Sequence, residues 1–248
     1  MKTLRNAAAI SRIQRAEQRF FADHGWLRTY HSLSFADYYD ADNLNWGALR
    51  VFNDDWIDAG QGFLPHPHRD MEILTYVFAG ELEHQDSMGN HGVVSPGGVQ
   101  FMSAGTGVRH SESNHSSVSP LHLVQMWVMP GKTGVPPSYG QKQFSLAERR
   151  NRWLDVASGE THVSAPIGLT QDATLRVARM ENSELVHEFS PGRFGFAFVG
   201  EGEVSINDQS LKAGDALRTY DIERLELRGD AEIVLWDLPP VDQGDSAA

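Results

Sequence analysis

The stretch "HPHRDMEILTYVFAG", residues 66–80, places two histidines one residue apart ahead of an apolar run that ends at a glycine. The run is rich in β-branched and aromatic residues, which favour strands, and residues i and i+2 of a strand project to the same face. His66 and His68 can therefore direct both imidazoles to one point. A lone pair of this kind is more often solvated or hydrogen-bonded than bound to a metal, so the pair by itself leaves both interpretations open.

Short apolar runs of the same character recur along the chain. They are separated by Gly, Pro, Asn and Asp turns and include "GVQFMSAG", "LHLVQMWVM", "FGFAFVG" and "AEIVLWDL". Closely spaced short strands predict an all-β sandwich or barrel. Helical patterns are confined mainly to residues 8–21, where Ile10, Ile13 and Phe20 fall on one face, and to "SLAERRNRW", residues 145–153. We therefore predict an all-β fold with a few short helices.

A weak internal repeat indicates two copies of one β domain. "YVFAGELEHQDSMGN", residues 76–90, and "FAFVGEGEVSINDQS", residues 196–210, share an aromatic strand, a glycine, an acidic residue, a second strand and a turn. The Pro- and Gly-rich stretch "MPGKTGVPPSYGQ", residues 129–141, is the predicted linker. We expect a metal-binding domain over residues 1–135, a second domain without metal over residues 136–240, and a tail over residues 241–248.

Composition excludes several classes of function. The 248 residues are 40% apolar, which is enough to bury a core, and 21 Lys and Arg against 33 Asp and Glu give a net charge of −12. That charge opposes attachment to nucleic acid or to an anionic membrane. With no cysteine, any metal must be held by His and carboxylate. No signal segment and no run of about 18 apolar residues is evident, so we expect a cytoplasmic protein with no membrane contact.

A second pair of candidate ligands follows the first. In "GTGVRHSESN", residues 105–114, His110 and Glu112 have the same spacing, after glycines that we expect to turn the chain sharply into a new strand. The strands and turns between the two pairs can return the second pair to a position beside the first. Three imidazoles and one carboxylate would then converge, a set that suits Fe(II), Mn, Ni, Cu or Zn. The sequence therefore predicts a mononuclear metal site.

"HPHRDMEILTYVFAGELEHQDSMGN" together with "MSAGTGVRHSE" resembles the pirin family of the cupin superfamily. The resemblance covers most of the chain and is strongest from Trp46 to Pro130. It implies two tandem cupin barrels, each a double-stranded β-helix or jelly roll. In pirins the H-x-H and H-x-E pairs supply the four metal ligands, which also act in catalysis and which correspond here to His66, His68, His110 and Glu112.

Glu72 is a competing carboxylate, because a general cupin uses the Glu of H-x-H-x₃-E. We favour Glu112 and expect Glu72 to hold an imidazole from behind or to serve strand pairing. In the second copy, Val186 and Glu188 stand where the first pair of histidines stands, so one metal per chain follows. His187 is expected to be a satisfied surface or core histidine.

Other residues near the motifs are expected to have no direct role. The turn histidines are expected to be solvated; this set comprises His84, His91, His115 and His122. "LVQMWVM" is most simply a core strand, although Met126 or Trp127 could face the cavity and touch an aromatic substrate.

The resemblance implies a function. Bacterial pirins with quercetin dioxygenase activity suggest a metal-dependent dioxygenase that opens the central ring of flavonols such as quercetin with O2. We expect one divalent metal, Fe(II), with Mn, Ni, Cu, Co and Zn as alternatives, and a monomer whose partners are the flavonol and O2. A non-enzymatic metal- or redox-sensing regulator that binds a protein partner stays open. So does a zinc hydrolase, although Glu112 would close a tetrahedral zinc site.

Overall fold

The computed structural model describes residues 9–241. Over this range the regular secondary structure is almost all strand, which confirms the predicted class. The strands are β1 Ile10–Gln14, β2 Phe20–Asp23, β3 Leu27–His31, β4 Leu49–Ile57, β5 Gly62–Ala79, β6 Leu82–Asp86, β7 His91–Val94, β8 Val99–Asn114, β9 Leu121–Val128, β10 Ser138–Lys142, β11 Leu154–Ser158, β12 Ile167–Gly168, β13 Thr174–Glu188, β14 Phe194–Ile206, β15 Gln209–Lys212, β16 Ala216–Tyr220 and β17 Arg224–Leu238. A 3₁₀ turn covers Ala16–Gln18 and the helix α1 covers Leu146–Arg149. None of the helices in residues 9–241 has the length and apolarity needed to cross a membrane.

The strands form two sheets, one for each half of the chain, as expected of tandem cupin barrels. The N-terminal barrel has the strand order β2-β3-β4-β9-β5-β8-β6-β7, with β10 paired to β8. The C-terminal barrel has the order β1-β16-β14-β17-β13-β11-β12, with β15 paired to β14. The long strands β5 and β8 lie side by side in the first barrel, and this pair carries both histidine motifs.

Two strands cross from one half of the chain to the other barrel. β1 pairs antiparallel with β16, Ile10 opposite Tyr220, and β10 pairs with β8, Ser138 opposite Ser103. The end of the predicted linker is therefore a strand of the first barrel. The domain boundary between residues 135 and 136 stays a prediction. β1 and β10 each pair with a strand on the other side of this boundary. Of the predicted tail, residues 242–248 lie outside the described residues, and Val241 packs against the core.

The helix predicted over residues 8–21 is wrong within the described residues. The chain there forms β1, the short 3₁₀ turn and β2. The edge of β16 offers hydrogen-bond partners to β1, and Ile13 packs against the core of the C-terminal barrel, so tertiary pairing outweighs the helical pattern. The helix predicted over residues 145–153 exists as α1 alone, where Ser145 and Glu148 form a capping box.

The two barrels share one hydrophobic core. The Phe52 ring lies 4.7 Å from Phe196 and 4.9 Å from Phe198, measured between centroids. Trp236 of the second barrel donates its indole N–H to Met126 Sδ at 3.1 Å, so Met126 faces this core rather than the cavity. Since apolar side chains of both barrels are buried together, the second barrel supports the sheet that carries the histidine motifs.

Candidate metal centre

Strand register brings the two motifs together. β5 and β8 are antiparallel, and His66 lies directly opposite His110. His68 is two residues along β5, and Glu112 two residues along β8, so all four side chains start from the same face of the pair. The predicted return of the second motif to a position beside the first is thus observed.

The glycines before His110 act differently from our expectation. They lie inside the continuous strand β8, where its pairing with β5 is irregular, rather than turning the chain into a new strand. Gly105 has φ +47°, and a Cβ added there would collide with the carbonyl oxygen of Val135. Glycine is required at this position because φ is positive and another segment approaches the backbone closely.

Three imidazoles converge at one end of the barrel. Nε2 of His66 lies 3.1 Å from Nε2 of His110, and the ring centroids of His66, His68 and His110 are 4.6 to 4.8 Å apart. One nitrogen from each ring lies within 4.8 Å of the other two. Three nitrogens at this spacing can bind a single ion.

The protonation of these rings fits a metal. The ring Nδ1–H of His66 donates to the Leu64 carbonyl at 2.8 Å, which leaves the lone pair on Nε2. Burial lowers the pKa of His68 to about 4 and that of His110 to about 3, and the neighbouring imidazoles act in the same direction. Neutral imidazole is the form that coordinates metal ions. The donor set therefore suits a divalent transition metal.

His110 is supported from behind by a chain of hydrogen bonds. His110 Nδ1 lies 3.4 Å from His84 Nδ1, and His84 Nε2 lies 3.2 Å from Asp86 Oδ2. If His84 donates to the carboxylate, its Nδ1 accepts from His110 Nδ1–H, which leaves the Nε2 lone pair of His110 directed at the cluster. Tyr139 of β10 stacks on His84, with 4.2 Å between ring centroids. Although burial acts to raise the pKa of Asp86, hydrogen bonds from Asn90, His84 and Met88 lower it.

The expectation that His84 is solvated is therefore wrong, since its side chain is fully buried. Sequence reasoning also missed Asp86. The available signal was the alternation in "LEHQD", residues 82–86, which places His84 opposite Glu112 and Asp86 opposite His110 across β6 and β8.

Glu112 is held by two amides. Gln100 Nε2 donates to one carboxylate oxygen, and Gln125 Nε2 donates to the other at 2.7 Å. A carboxylate oxygen of Glu112 groups with ring nitrogens of His84 and His110, in a cluster that overlaps the three-histidine cluster at His110. Its role as the fourth ligand stays a prediction.

Glu72 does not lie behind the histidines. Its carboxylate accepts the backbone N–H of Thr170 at 2.7 Å and that of Gln171 at 3.2 Å, in the segment before β13. The expectation that Glu72 holds an imidazole is therefore wrong. Burial raises its pKa, and the two N–H donors act against this shift. Glu72 joins the two barrels.

A cavity of about 270 Å³ opens onto the cluster, and its lining includes His66, His68 and Glu112. Its side wall is aromatic. Trp127 lies edge-on to His68 at 4.8 Å and to Phe35 at 5.2 Å between centroids, so Trp127, and not Met126, faces the cavity. The volume and lining suit one small aromatic molecule.

Four other histidines have local hydrogen-bond or ion-pair partners. His91 and His115 are exposed and contact Glu83, His122 bonds Asp54 and stacks on Trp56, and His187 is buried beside Asp237.

In the second barrel, Val186 lies opposite Glu226, in a pairing like that of His66 with His110. Among residues 9–241, groups of three possible metal ligands occur only at the two overlapping clusters of the first barrel.

Two tandem β-barrels with a histidine cluster in the first define a bicupin with one candidate metal centre. The chain belongs to the pirin family: the Pirin family matches residues 12–128, and the Quercetinase C-terminal cupin domain matches residues 164–238. Quercetin 2,3-dioxygenase of Escherichia coli strain K12 is 44% identical over 92% of this chain and 99% of its own length.

Other relatives agree with this assignment. The pirin-like protein of Caulobacter vibrioides is 41% identical over 87% of this chain and 94% of its own length. Among solved structures, the bacterial pirin YhhW of E. coli in complex with nickel(II) is 42% identical, has a TM-score of 0.86, and covers 94% of this chain and 100% of its own.

Proposed function

We propose that this protein is a metal-dependent dioxygenase that opens the central ring of flavonols such as quercetin with O2. The observation that carries the proposal is the convergence of three imidazoles, two of them with lowered pKa values, beside an aromatic-walled cavity. The E. coli relative named quercetin 2,3-dioxygenase supports the activity, and the nickel complex of a relative supports a divalent transition metal. We propose Fe(II) as the native metal.

The ligands proposed are His66, His68, His110 and Glu112. When bound, the ion would supply Lewis acidity and the redox chemistry that the reaction with O2 needs. The chain contributes fixed geometry: β5 and β8 hold the imidazoles in register, and the hydrogen bonds behind His110 keep its ring from rotating. Ligands held in place in this way lose little freedom when the ion binds.

The cavity walls would orient the substrate. A flat aromatic ring can lie against Trp127 and Phe35, whose edge-to-face packing fixes both side chains. Phe63 lines the same cavity and lies edge-on to His66, which adds apolar surface beside the cluster. Since Glu112 is held by Gln100 and Gln125, its carboxylate has a defined position from which to accept the proton of a substrate hydroxyl.

The experiment compares metal content with oxygen uptake. Wild type, His66→Ala and the surface control His91→Ala are loaded separately with Fe(II), Mn, Ni, Cu or Co, and metal is measured before quercetin is added. We expect one equivalent of metal and oxygen uptake in the wild type and the control, and loss of both in His66→Ala. One bound equivalent without oxygen uptake under every metal would contradict the dioxygenase and favour a metal-sensing regulator.

A further inference from the structure

A row of four polar side chains crosses β3 and β4 and lines the cavity. Thr29 lies opposite Asp55, and His31 lies opposite Asn53, in consecutive cross-strand pairs two residues apart. Because the spacing is two on both strands, all four project to the same face. All four are at least 95% buried, and all four line the cavity that opens onto the histidine cluster. We call this set the polar row.

Among the described residues, each member of the polar row has a buried polar atom without a well-formed hydrogen bond, although Asp55 faces the Thr29 hydroxyl and His31 faces the Phe35 backbone. These atoms are Thr29 Oγ1, His31 Nδ1, Asn53 Oδ1 and Asp55 Oδ1. A buried polar group left unpaired costs about 1–3 kcal/mol, so native proteins keep few of them without a reason. Four such polar atoms on adjacent residues of one cavity wall indicate that a bound ligand would supply their hydrogen-bond partners.

The neighbouring residue shows that these strands can pair a carboxylate fully. Asp54 points to the opposite face of β4, where its two oxygens contact Arg19 at 2.8 Å and His122 at 2.8 Å. Asp55, the next residue, has no salt bridge within residues 9–241. One face of β4 therefore carries a carboxylate with ion-pair partners, and the opposite face carries a carboxylate that lines the cavity.

The polar row continues toward the proposed ligands. Asn53 lies opposite Gln125 of β9, and Gln125 donates to Glu112 at 2.7 Å and accepts the Trp127 indole N–H at 3.1 Å. Glu112, Trp127 and the polar row line the same cavity, so a planar molecule bound at Glu112 along the Trp127 wall can extend past Gln125 to the polar row. The row offers carboxyl and amide oxygens, which accept hydrogen bonds from hydroxyl groups. A carboxylate at that end would instead meet Asp55 with no paired cation beside it.

We propose that the polar row binds hydroxyl groups at the end of the substrate remote from the histidine cluster, and so selects polyhydroxylated aromatic compounds over analogues without those hydroxyls. This inference rests on the proposed function for its substrate class. Asn53 and Thr29 are the specificity-determining residues that can be tested most directly. An apolar side chain of similar size at either position keeps the volume and removes the hydrogen bond.

Equilibrium binding under argon tests the polar row without requiring turnover. Quercetin and 3-hydroxyflavone, which lacks the remote hydroxyls, are titrated into the metal-loaded protein while Trp fluorescence is followed. We expect the wild type to prefer quercetin by about 10-fold or more, which corresponds to one or two buried hydrogen bonds. Asn53→Leu should reduce the ratio of the two affinities toward one, with metal content unchanged. Gln209→Leu, in the second barrel, is the matched control.

Thr29→Val repeats the test if Asn53→Leu fails to fold. A ratio that neither variant changes, or a wild type that binds both compounds equally, would overturn the polar row as a recognition site. Binding with the expected ratio but without oxygen uptake once air is admitted would refute the dioxygenase and leave the polar row standing. A wild type that binds neither compound would refute both proposals.

Discussion

Glu72 of the first barrel accepts the backbone N–H of Thr170, 98 residues away, at 2.7 Å. The carboxylate is fully buried and its second oxygen accepts the N–H of Gln171, so a short irregular segment of the second half is held by one side chain of the first. This contact separates the two glutamates that the motifs left in competition, because Glu72 serves the joint between the barrels while Glu112 faces the cavity.

Glu72→Ala should lower the free energy of unfolding by about 2–3 kcal/mol, since two backbone N–H groups lose their carboxylate acceptor. Its bound metal should stay at the wild-type level. Glu112→Gln should instead lose metal with a smaller change in stability. Urea unfolding and metal analysis of both variants provide the measurement. Loss of metal in Glu72→Ala with retention in Glu112→Gln would reverse our ligand assignment.

Asp86→Asn should weaken metal binding by about 10- to 100-fold, the range found when the partner of a ligating histidine is lost. The neutral amide no longer fixes the tautomer of His84, so His110 is less firmly oriented. Competition with a chelator of known affinity measures the effect. Glu83→Gln is the control, because the histidines that Glu83 contacts in the described residues, His91 and His115, lie at the surface. Equal affinities in the two variants would show that the chain behind His110 is structural only.

Asp55→Asn should stabilise the metal-free protein at high pH. Burial raises the Asp55 pKa to about 7; Thr29 acts against this shift, and the nearby Asp54 and Glu112 add to it. A carboxyl whose pKa is higher in the folded state costs stability above its unfolded pKa, and the cost grows until the pH passes the folded value. The variant should therefore match wild type near pH 4 and exceed it by an amount on the order of 2–4 kcal/mol at pH 8. Denaturant unfolding with chelator across this range measures the difference. A constant difference would refute the raised pKa.

Glu232→Ala should destabilise the protein by about 3–5 kcal/mol, because it leaves a buried cation without its partner. Glu232 accepts a hydrogen bond from the Tyr76 hydroxyl and pairs with Arg149 at 2.8 Å between the barrels. Glu184→Ala, which breaks an exposed pair with Arg228, is the control and should cost less than about 1 kcal/mol. Thermal unfolding of both variants compares them, and equal losses would contradict a structural role for the buried pair.

Local patterns in the sequence predicted most of the histidine cluster. The spacing of H-x-H and H-x-E determines which faces the side chains occupy, and strand alternation predicted the fold class. Alternation in "LEHQD" puts His84 and Asp86 on one face of β6, but the burial of that face depends on pairing with β8 and on Tyr139, at the end of the predicted linker. The partner of Glu72 could not be predicted either, because Thr170 lies 98 residues further along the chain. The first strand was mistaken for a helix because its pairing with β16 spans about 200 residues.

Because β1 and β10 each pair with a strand of the barrel formed by the other half of the chain, neither half contains a complete barrel. A chain cut between residues 135 and 136 would keep the histidines of the first barrel and lose the strand that places Tyr139 over His84. The second fragment would lose its edge strand β1 and expose the unpaired backbone of β16. The second barrel has no such histidine cluster in its described residues, yet the first barrel depends on it, so exchanging it for another domain by a cut at the linker would disrupt both barrels.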